Sequence, residues 1–385
     1  MGWKRQAPEG VAAPAPIVLG RWILAACVAV PASVLLFLLH VSARVPAWEA
    51  FNIWIVSGSP LLVWLLAFSA RACLYGGALS HHQFLAEEAK RTQLAWEEWA
   101  NRFLAVQASC VLLPDQVSAR KLLDRSTHAP PRTATARRIE ALPEKERAQR
   151  GLRWVLSAME PALRALPVKQ PLRVTLLSDV EPGQYEALRG AWQQLWITEM
   201  GLPPPEAFTL SAELSYQWID ETLRTASTAV ELILVLQVHG EAAYSDALAA
   251  LLLCPDRLAQ AWELPMTGGL SRPMPLDISC LGSELPVFLK SQSCADRAIG
   301  LLADHADWQP LLSEVFVIGS AQGASLELNQ QWIQERLWGP PGPFSHWLIA
   351  ALGIEMTRHQ ERPLLMLTRE NSRHWVSTLT TGEAA

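Results

Sequence analysis

Residues 230–240 read VELILVLQVHG, and this run decides the fold class of the chain. Leu232 to Leu236 carries no polar side chain and is bounded within a few residues, so it predicts a central strand covered on both faces. DALAALLLCP (246–255) follows, and its residues suit a strand or a helix equally. Working upstream, PLRVTLLSD (171–179) is a compact apolar run ending in Ser-Asp and predicts another strand. Between the two, GQYEALRGAWQQLWITEM (183–200) places Tyr185, Leu188, Trp192 and Trp196 at helical spacing, and Pro203–Pro205 end that helix. ELSYQWIDETLRTAS predicts one helix more, and 151–165 another. Downstream, SEVFVIGSAQG (313–323) reads as a strand running into a glycine turn, and SLELNQQWIQERLWG as a helix. PPGPFSHWLIAALGIEMTRHQ (340–360) supplies a turn, a Ser345 cap and an apolar helix. RPLLMLTREN (362–371) reads as a strand with HWVSTLT (374–380) as its hairpin partner. Strands alternating with helices predict an α/β body with a mixed or mainly parallel sheet flanked by helices.

The N-terminal part is of another kind. Arg21 to His40 (RWILAACVAVPASVLLFLLH) and Phe51 to Ala70 (FNIWIVSGSPLLVWLLAFSA) carry no internal charge. Each has roughly the ~20 residues an α-helix needs to cross a ~30 Å hydrocarbon layer. Pro31 and Pro60 are tolerated in such spans. Lys4, Arg5 and Arg21 precede the first run, and Arg71, Lys90 and Arg91 follow the second. Arg44 in the connecting loop is offset by Glu49. This bias predicts a multi-pass bacterial inner-membrane protein with both termini cytoplasmic, and Trp22, Trp48 and Trp54 fall near the expected interfaces. The expected divisions are a cytoplasmic tail (1–20), a two-helix hairpin (21–70), an amphipathic stalk helix (71–117), a basic Pro-containing linker (118–150) and the α/β body (151–385). The stalk is expected to pass a break at Gly76-Gly77 and to end before Pro114. The linker holds nine Lys/Arg against four Asp/Glu.

A formal charge of −5 carries no general basic signature, which argues against nucleic acid as a partner. The six cysteines are Cys27, Cys73, Cys110, Cys254, Cys280 and Cys294; they form no CxxC pair, and a disulfide framework or zinc site is not indicated. Seventeen tryptophans imply a large core or a sticky surface.

Chemical motifs are few. G-x-S-x-G, a Walker-type loop, H-E-x-x-H, an EF-hand loop and GxGxxG are all missing, which shifts the expectation away from a common enzyme. His81-His82 point about 100° apart on a helix and do not chelate as an i,i+4 pair does. GSAQGAS (319–325) after an expected strand is a candidate anion cradle at a helix start, with a plain turn as the simpler reading. Cys254 and Cys280 lie near turns, and His239, His346 and His374 are the histidines that a Cys-His site would need to bring within hydrogen-bond reach. Cys254 ends an apolar run and reads as an inert core thiol. Asp246, Asp256 and Arg257 define no geometry. No catalytic, cofactor-binding or metal-binding residue is assigned, and no cofactor is expected.

Two segments resemble parts of the thiolase-like fold. HGEAAYSDALAALLLC resembles the G-E-G-A-A-A-L-x-L stretch that leads into a strand in ketoacyl-synthase-type proteins. GPFSHWLIAALGIEM followed by RPLLMLT resembles their late glycine-led helix and closing strand. No cysteine here falls at the strand-to-helix elbow of the family's nucleophile, and no histidine falls in its catalytic motifs, so the resemblance implies a degenerate, non-catalytic member. A second resemblance covers the anchor, the helix YGGALSHHQFLAEEAKRTQLAWEEWA and the divergent body, which together are similar to membrane-bound accessory proteins of type VI secretion clusters. It implies an adaptor that contacts lipid through 21–70 and binds secretion-machine or effector proteins through its cytoplasmic domain. The alternative expectation is a membrane-associated acyl-transfer or lipid-handling enzyme of thiolase-like fold.

Overall fold

The computed structural model describes residues 2–3, 12–42, 51–124, 135–167, 169–225 and 227–382. The chain divides into residues 6–95 and residues 96–385, the latter joined by Gly2 and Trp3. Lys4, Arg5, the loop residues Arg44, Trp48 and Glu49, and linker residues 125–134 lie outside the described residues.

The first unit is a helical hairpin of α1 (Leu19–Val41) and the greater part of α2 (Ile53–Asn101). Both helices are long and apolar enough to cross a membrane by length and composition. Leu24, Val28, Leu35, Ile55 and Leu62 are exposed. The helices meet where Trp64 Nε1 donates to the Trp22 carbonyl at 3.0 Å, with Phe68 stacked on Trp64 and edge-on to Trp22. α2 runs unbroken through Gly76-Gly77.

The helix expected to continue to about Leu113 stops at Asn101, and the next ten residues are strand β1 (Phe103–Leu112). Helical spacing can be read into this segment, but pairing on both edges overrides local propensity. The body therefore begins well before residue 151. Its first half continues with α3 (Ala119–Leu123), α4 (Arg147–Arg164), β2 (Leu172–Ser178), α5 (Tyr185–Leu195), β3 (Ala207–Ser211), α6 (Trp218–Arg224), β4 (Val230–Gln237), β5 (Ala247–Pro255) and α7 (Asp256–Ala261). The second half holds β6 (Gly268–Ser271), β7 (Met274–Leu276), α8 (Leu281–Ser291), β8 (Gly300–Ala303), α9 (Gln309–Ala321), β9 (Gln331–Ile333), α10 (Gln334–Leu337), α11 (Ser345–Gln360), β10 (Leu364–Glu370) and β11 (Arg373–Thr380). The 246–255 run is thus a strand. Of the 313–323 run, expected as a strand, residues 313–321 lie in helix α9, because Leu312, Val315, Phe316 and Gly319 form its buried face at helical spacing. The helix expected from SLELNQQWIQERLWG reduces to β9 and the short α10.

The sheet is mixed, in the order β3-β2-β4-β5-β1-β6-β11-β10-β8-β9, with β7 added on β11. Leaving β7 aside, the strands of each half, counted along the chain, lie in the same spatial order 3-2-4-5-1, and the first strands β1 and β6 join the halves antiparallel. In each half the second, third and fourth strands are parallel and the fifth is antiparallel.

Side-chain alternation turns this sheet into five layers. On β4, Leu232, Leu234 and Leu236 face the α4/α5 side while Ile233 and Val235 face the centre. On β10, Leu365 and Leu367 face α8/α9 while Leu364 and Met366 face the same centre. The central layer is chiefly α11, whose residues from Ser345 to Ile354 are all buried. That is why its sequence is apolar all round rather than striped. Trp3 packs on the body, its ring 5.0 Å from Trp99 and 5.7 Å from Phe288.

Candidate functional site

The polar residues of the central layer gather where the chain enters α6 and α11. The PPGPF turn before α11 brings Gly342 against the buried Gln237 side chain, so closely that a Cβ there would lie 2.4 Å from Gln237 Oε1. Gln237 Oε1 accepts from Phe344 N, and its Nε2 donates to the Ser245 carbonyl at 2.8 Å. At the head of α11, His346 Nε2 and Trp347 Nε1 both donate to the Leu214 carbonyl, at 3.0 and 2.8 Å. A carbonyl can only accept, so the imidazole carries its proton on Nε2 and leaves Nδ1 as an acceptor. Burial pushes the His346 pKa down and keeps the ring neutral.

Tyr216 fills the space beside it. Its ring lies edge-on to His346 and Trp347 at 5.8 and 5.7 Å, and its hydroxyl is 2.9 Å from Ser377 Oγ on β11. Burial raises the phenol pKa, with the Ser377 hydrogen bond acting against it, so Tyr216 stays protonated. One residue earlier, Ser215 Oγ donates to Glu370 Oε2 at 2.9 Å, and Tyr216 N donates to the same oxygen at 3.2 Å. Glu370 ends β10, so this contact ties the start of α6 in the first half to the β10–β11 turn of the second.

A surface cleft of about 590 Å³ opens beside Trp375. Pro275, Leu276, Ile278 and Trp375 give it an apolar wall, and Gln217, Asp277, Arg373 and His374 supply polar groups. His374 packs edge-on against Trp308 at 5.2 Å, and burial lowers its pKa, with Arg369 adding to the effect. Asp277 is held as an anion by hydrogen bonds from Ser279 Oγ and Ser279 N, at 2.6 and 3.0 Å. An apolar wall with a few convergent polar groups is the usual composition of a small-molecule site.

The cysteines stand elsewhere. Cys254 Sγ accepts from Gln107 Nε2 at 3.4 Å in the core, Cys294 Sγ lies 3.6 Å from Ser271 Oγ, and Cys280 Sγ lies 3.8 Å from Ser279 Oγ. The hydrogen-bond partners of these three thiols are therefore not histidines. Burial pushes Cys254 up to about 11 and raises Cys294 as well, which opposes thiolate formation. His239 follows β4, His346 opens α11 and His374 lies on β11, and none of the three is hydrogen-bonded to a cysteine among the described residues. GSAQGAS lies at the C-terminal end of α9 and the turn after it, so it cannot act as an anion cradle at a helix start. Asp246 pairs with the buried Arg147, and Asp256 with Arg102, both as clamps within the fold. Arg257 reaches Glu98. Among the described residues no group of three or more His, Cys, Asp or Glu is placed to hold a metal ion.

No protein-family model and no curated protein matches the sequence. Solved structures do match. The type II PKS acyl-carrier protein in complex with its ketosynthase bound to the hexaketide (AntDE:AntF) superposes with a TM-score of 0.50 at 12% identity, covering 73% of this chain and 99% of that one. The ketosynthase from module 1 of the bacillaene synthase from Bacillus amyloliquefaciens FZB42 gives 0.50 at 10% identity, covering 75% of this chain and 74% of that one.

The fold is thiolase-like. The expected strand leading from HGEAAYSDALAALLLC is β5, and GPFSHWLIAALGIEM with RPLLMLT becomes α11 and β10 of this thiolase-like body. The likeness to type VI secretion accessory proteins is corrected by the same comparison. Both of these structures are ketosynthases and neither is a secretion adaptor, so the reading of a non-catalytic adaptor for a secretion machine does not hold. It rested on the texture of the anchor and stalk, which carries no residue-level signature.

Sequence reasoning missed Ser215, Tyr216, Glu370 and Ser377. Nothing local marks them, since they meet only when the two halves close on each other.

Proposed function

We propose that this chain is a membrane-anchored acyl-group-handling protein, whose thiolase-like body binds an acyl chain or its thioester carrier without a cysteine nucleophile. The observation that carries this reading is the duplicated fold shared with ketosynthases, one of which is described as bound to a hexaketide and in complex with its acyl-carrier protein. The cleft beside Trp375 suits the ligand class, with an apolar wall for a chain and Gln217, Arg373 and His374 for its polar head. The hydrogen bonds of Cys254, Cys280 and Cys294 favour non-covalent handling over a thioester on the protein.

We infer that the anchor holds this activity at a bacterial inner membrane, with the body on the cytoplasmic side. Two features support that topology. One is the excess of basic residues before the first span and after the second. The other is Trp3, which precedes both spans and packs on the body that follows them, as two membrane crossings require.

Native mass spectrometry of the full chain in detergent tests the reading with acyl-coenzyme A and acyl-carrier-protein thioesters as probes. Retention of an acyl ligand is expected, with Trp375→Ala weakening it and Cys280→Ala leaving it unchanged. Failure to retain any acyl donor overturns it.

A further inference from the structure

The duplication extends to single side chains. In the first half, Ser178 of β2 is level with Leu236 of β4, and the next residue is Asp179. In the second half, Ala303 of β8 is level with Leu367 of β10, and the next residue is Asp304. Asp179 N donates to the Leu236 carbonyl and Asp304 N to the Leu367 carbonyl, both at 3.3 Å. The carboxylates then capture amides at equivalent positions: Asp179 Oδ2 accepts from Val238 N at 2.8 Å, and Asp304 Oδ2 from Arg369 N at 2.7 Å.

The two copies differ in what holds the second carboxylate oxygen. Asp304 Oδ1 accepts from the buried Trp308 indole at 3.0 Å, which seals it. Asp179 Oδ1 instead meets His239 Nδ1 at 3.3 Å, and the imidazole is 38% exposed while the carboxylate side chain is 2% exposed. His239 N and Tyr244 Oη also donate to Asp179 Oδ2, at 2.7 and 3.3 Å, so the carboxylate cannot swing away. An ionised carboxylate only accepts, so His239 carries its proton on Nδ1 and presents Nε2 as a free base.

His239 lines a cleft of about 370 Å³ between the segment leading into α4 and the start of α5. The charged groups on its walls are Glu144, Lys145, Glu146 and Arg147, the last already engaged with Asp246. The cleft lies at the carboxyl ends of the parallel neighbours β2 and β4, whose onward connections leave to opposite sides, toward β3 and β5.

We propose that Asp179 and His239 are a proton-transfer pair serving this cleft, with a water or hydroxyl nucleophile as the proton donor and an acyl thioester as the partner. The choice of thioester rests on the acyl-handling reading above, with this cleft as a second site that shares no lining residue with the one beside Trp375; the pair itself rests on the geometry. His239 Nε2 takes the proton as the oxygen attacks the thioester carbonyl carbon. The tetrahedral adduct collapses with cleavage of the C–S bond, and the imidazolium returns the proton to the departing thiolate. Asp179 remains ionised throughout and holds Nδ1–H, as the third group of a triad orients its base.

The test is thiol release from short-chain acyl N-acetylcysteamine thioesters by the full chain in detergent. Wild type is expected to release thiol, and His239→Ala to lose about 10²–10⁴-fold, the usual share of a general base. Added imidazole should restore part of the loss, which a purely structural histidine would not allow. His239→Ala should unfold at the wild-type temperature, since Asp179 keeps its backbone donors. Absence of thiol release by wild type, a fully active His239→Ala, or no imidazole rescue overturns the proposal. Acyl retention measured on His239→Ala, which spares the ligand, separates the two ideas: retention with no turnover by wild type sinks the pair alone, and loss of retention sinks the acyl reading.

Discussion

Single carboxylates define this body more than its cysteines do. Asp179 and Asp304 each end a run of the same form, LLSD at 176–179 and LLAD at 301–304, and each staples the second strand of its half to the fourth. The two runs are visible in the chain, but their equivalence needs the register of strands far apart in sequence. Glu355 on α11 illustrates a different residue-scale effect. Burial lifts its carboxyl from 4.5 to about 7, against the opposing pull of Arg358 and the Val111 amide. Between those two pH values the folded chain holds a proton that the unfolded chain has released, so its contribution to stability falls as pH rises. Glu231, lifted by burial to about 7, acts in the same direction. Glu355→Gln should therefore flatten part of the pH dependence of thermal unfolding between about pH 5 and pH 7, and should be more stable than wild type above that range. An unchanged slope in a detergent-solubilised melt series would contradict the assignment.

At the scale of elements, α11 is the piece on which both half-sheets close. Its contact with β11 and β8 is set by Gly353, where a Cβ would fall 2.1 Å from Leu379 Cδ1 and 3.0 Å from Leu302 Cδ2. Close-packed interiors have no room for the added carbon without displacement. Gly353→Ala is expected to destabilise by about 1–3 kcal/mol, the usual cost of overpacking. Combining it with Leu379→Ala should cost less than the sum of the two single changes, because the second removes the clashing methyl groups. Urea unfolding of the four proteins measures the cycle, and strict additivity would show that the helix and strand are not in the contact described. The helical nature of α11 is legible in SHWLIAALGIEM; that every face of it is covered is also legible, since no polar stripe runs along it. The segment 103–112 was not legible as a strand, because its residues satisfy helical spacing and only its neighbours β5 and β6 decide otherwise.

At the scale of the whole molecule, the chain joins a helical hairpin to a duplicated thiolase-like body. Under the topology proposed above, an even number of crossings returns the body to the side of the N-terminus. Reporter fusions placed before Gly2 and after Ala385 are both expected to report the cytoplasmic side. A periplasmic signal from the C-terminal fusion would overturn that topology and move the body to the other compartment.

The sequence alone determined the apolar hairpin, the α/β class and most of the strands and helices around VELILVLQVHG, because length, charge and periodicity are local properties. It also carried the two fragments that resemble the thiolase-like fold. Tertiary structure alone decided the 3-2-4-5-1 order of each half, the pairing of β1 with β6, and the meeting of Tyr216, His346, Glu370 and Ser377. The pairing of β1 with β6 and the contacts of Tyr216 with His346 and Ser377 join residues more than a hundred positions apart, so their partners are chosen by which faces are left to bury and which hydrogen bonds remain to be made, and neither is written in any local stretch of the chain.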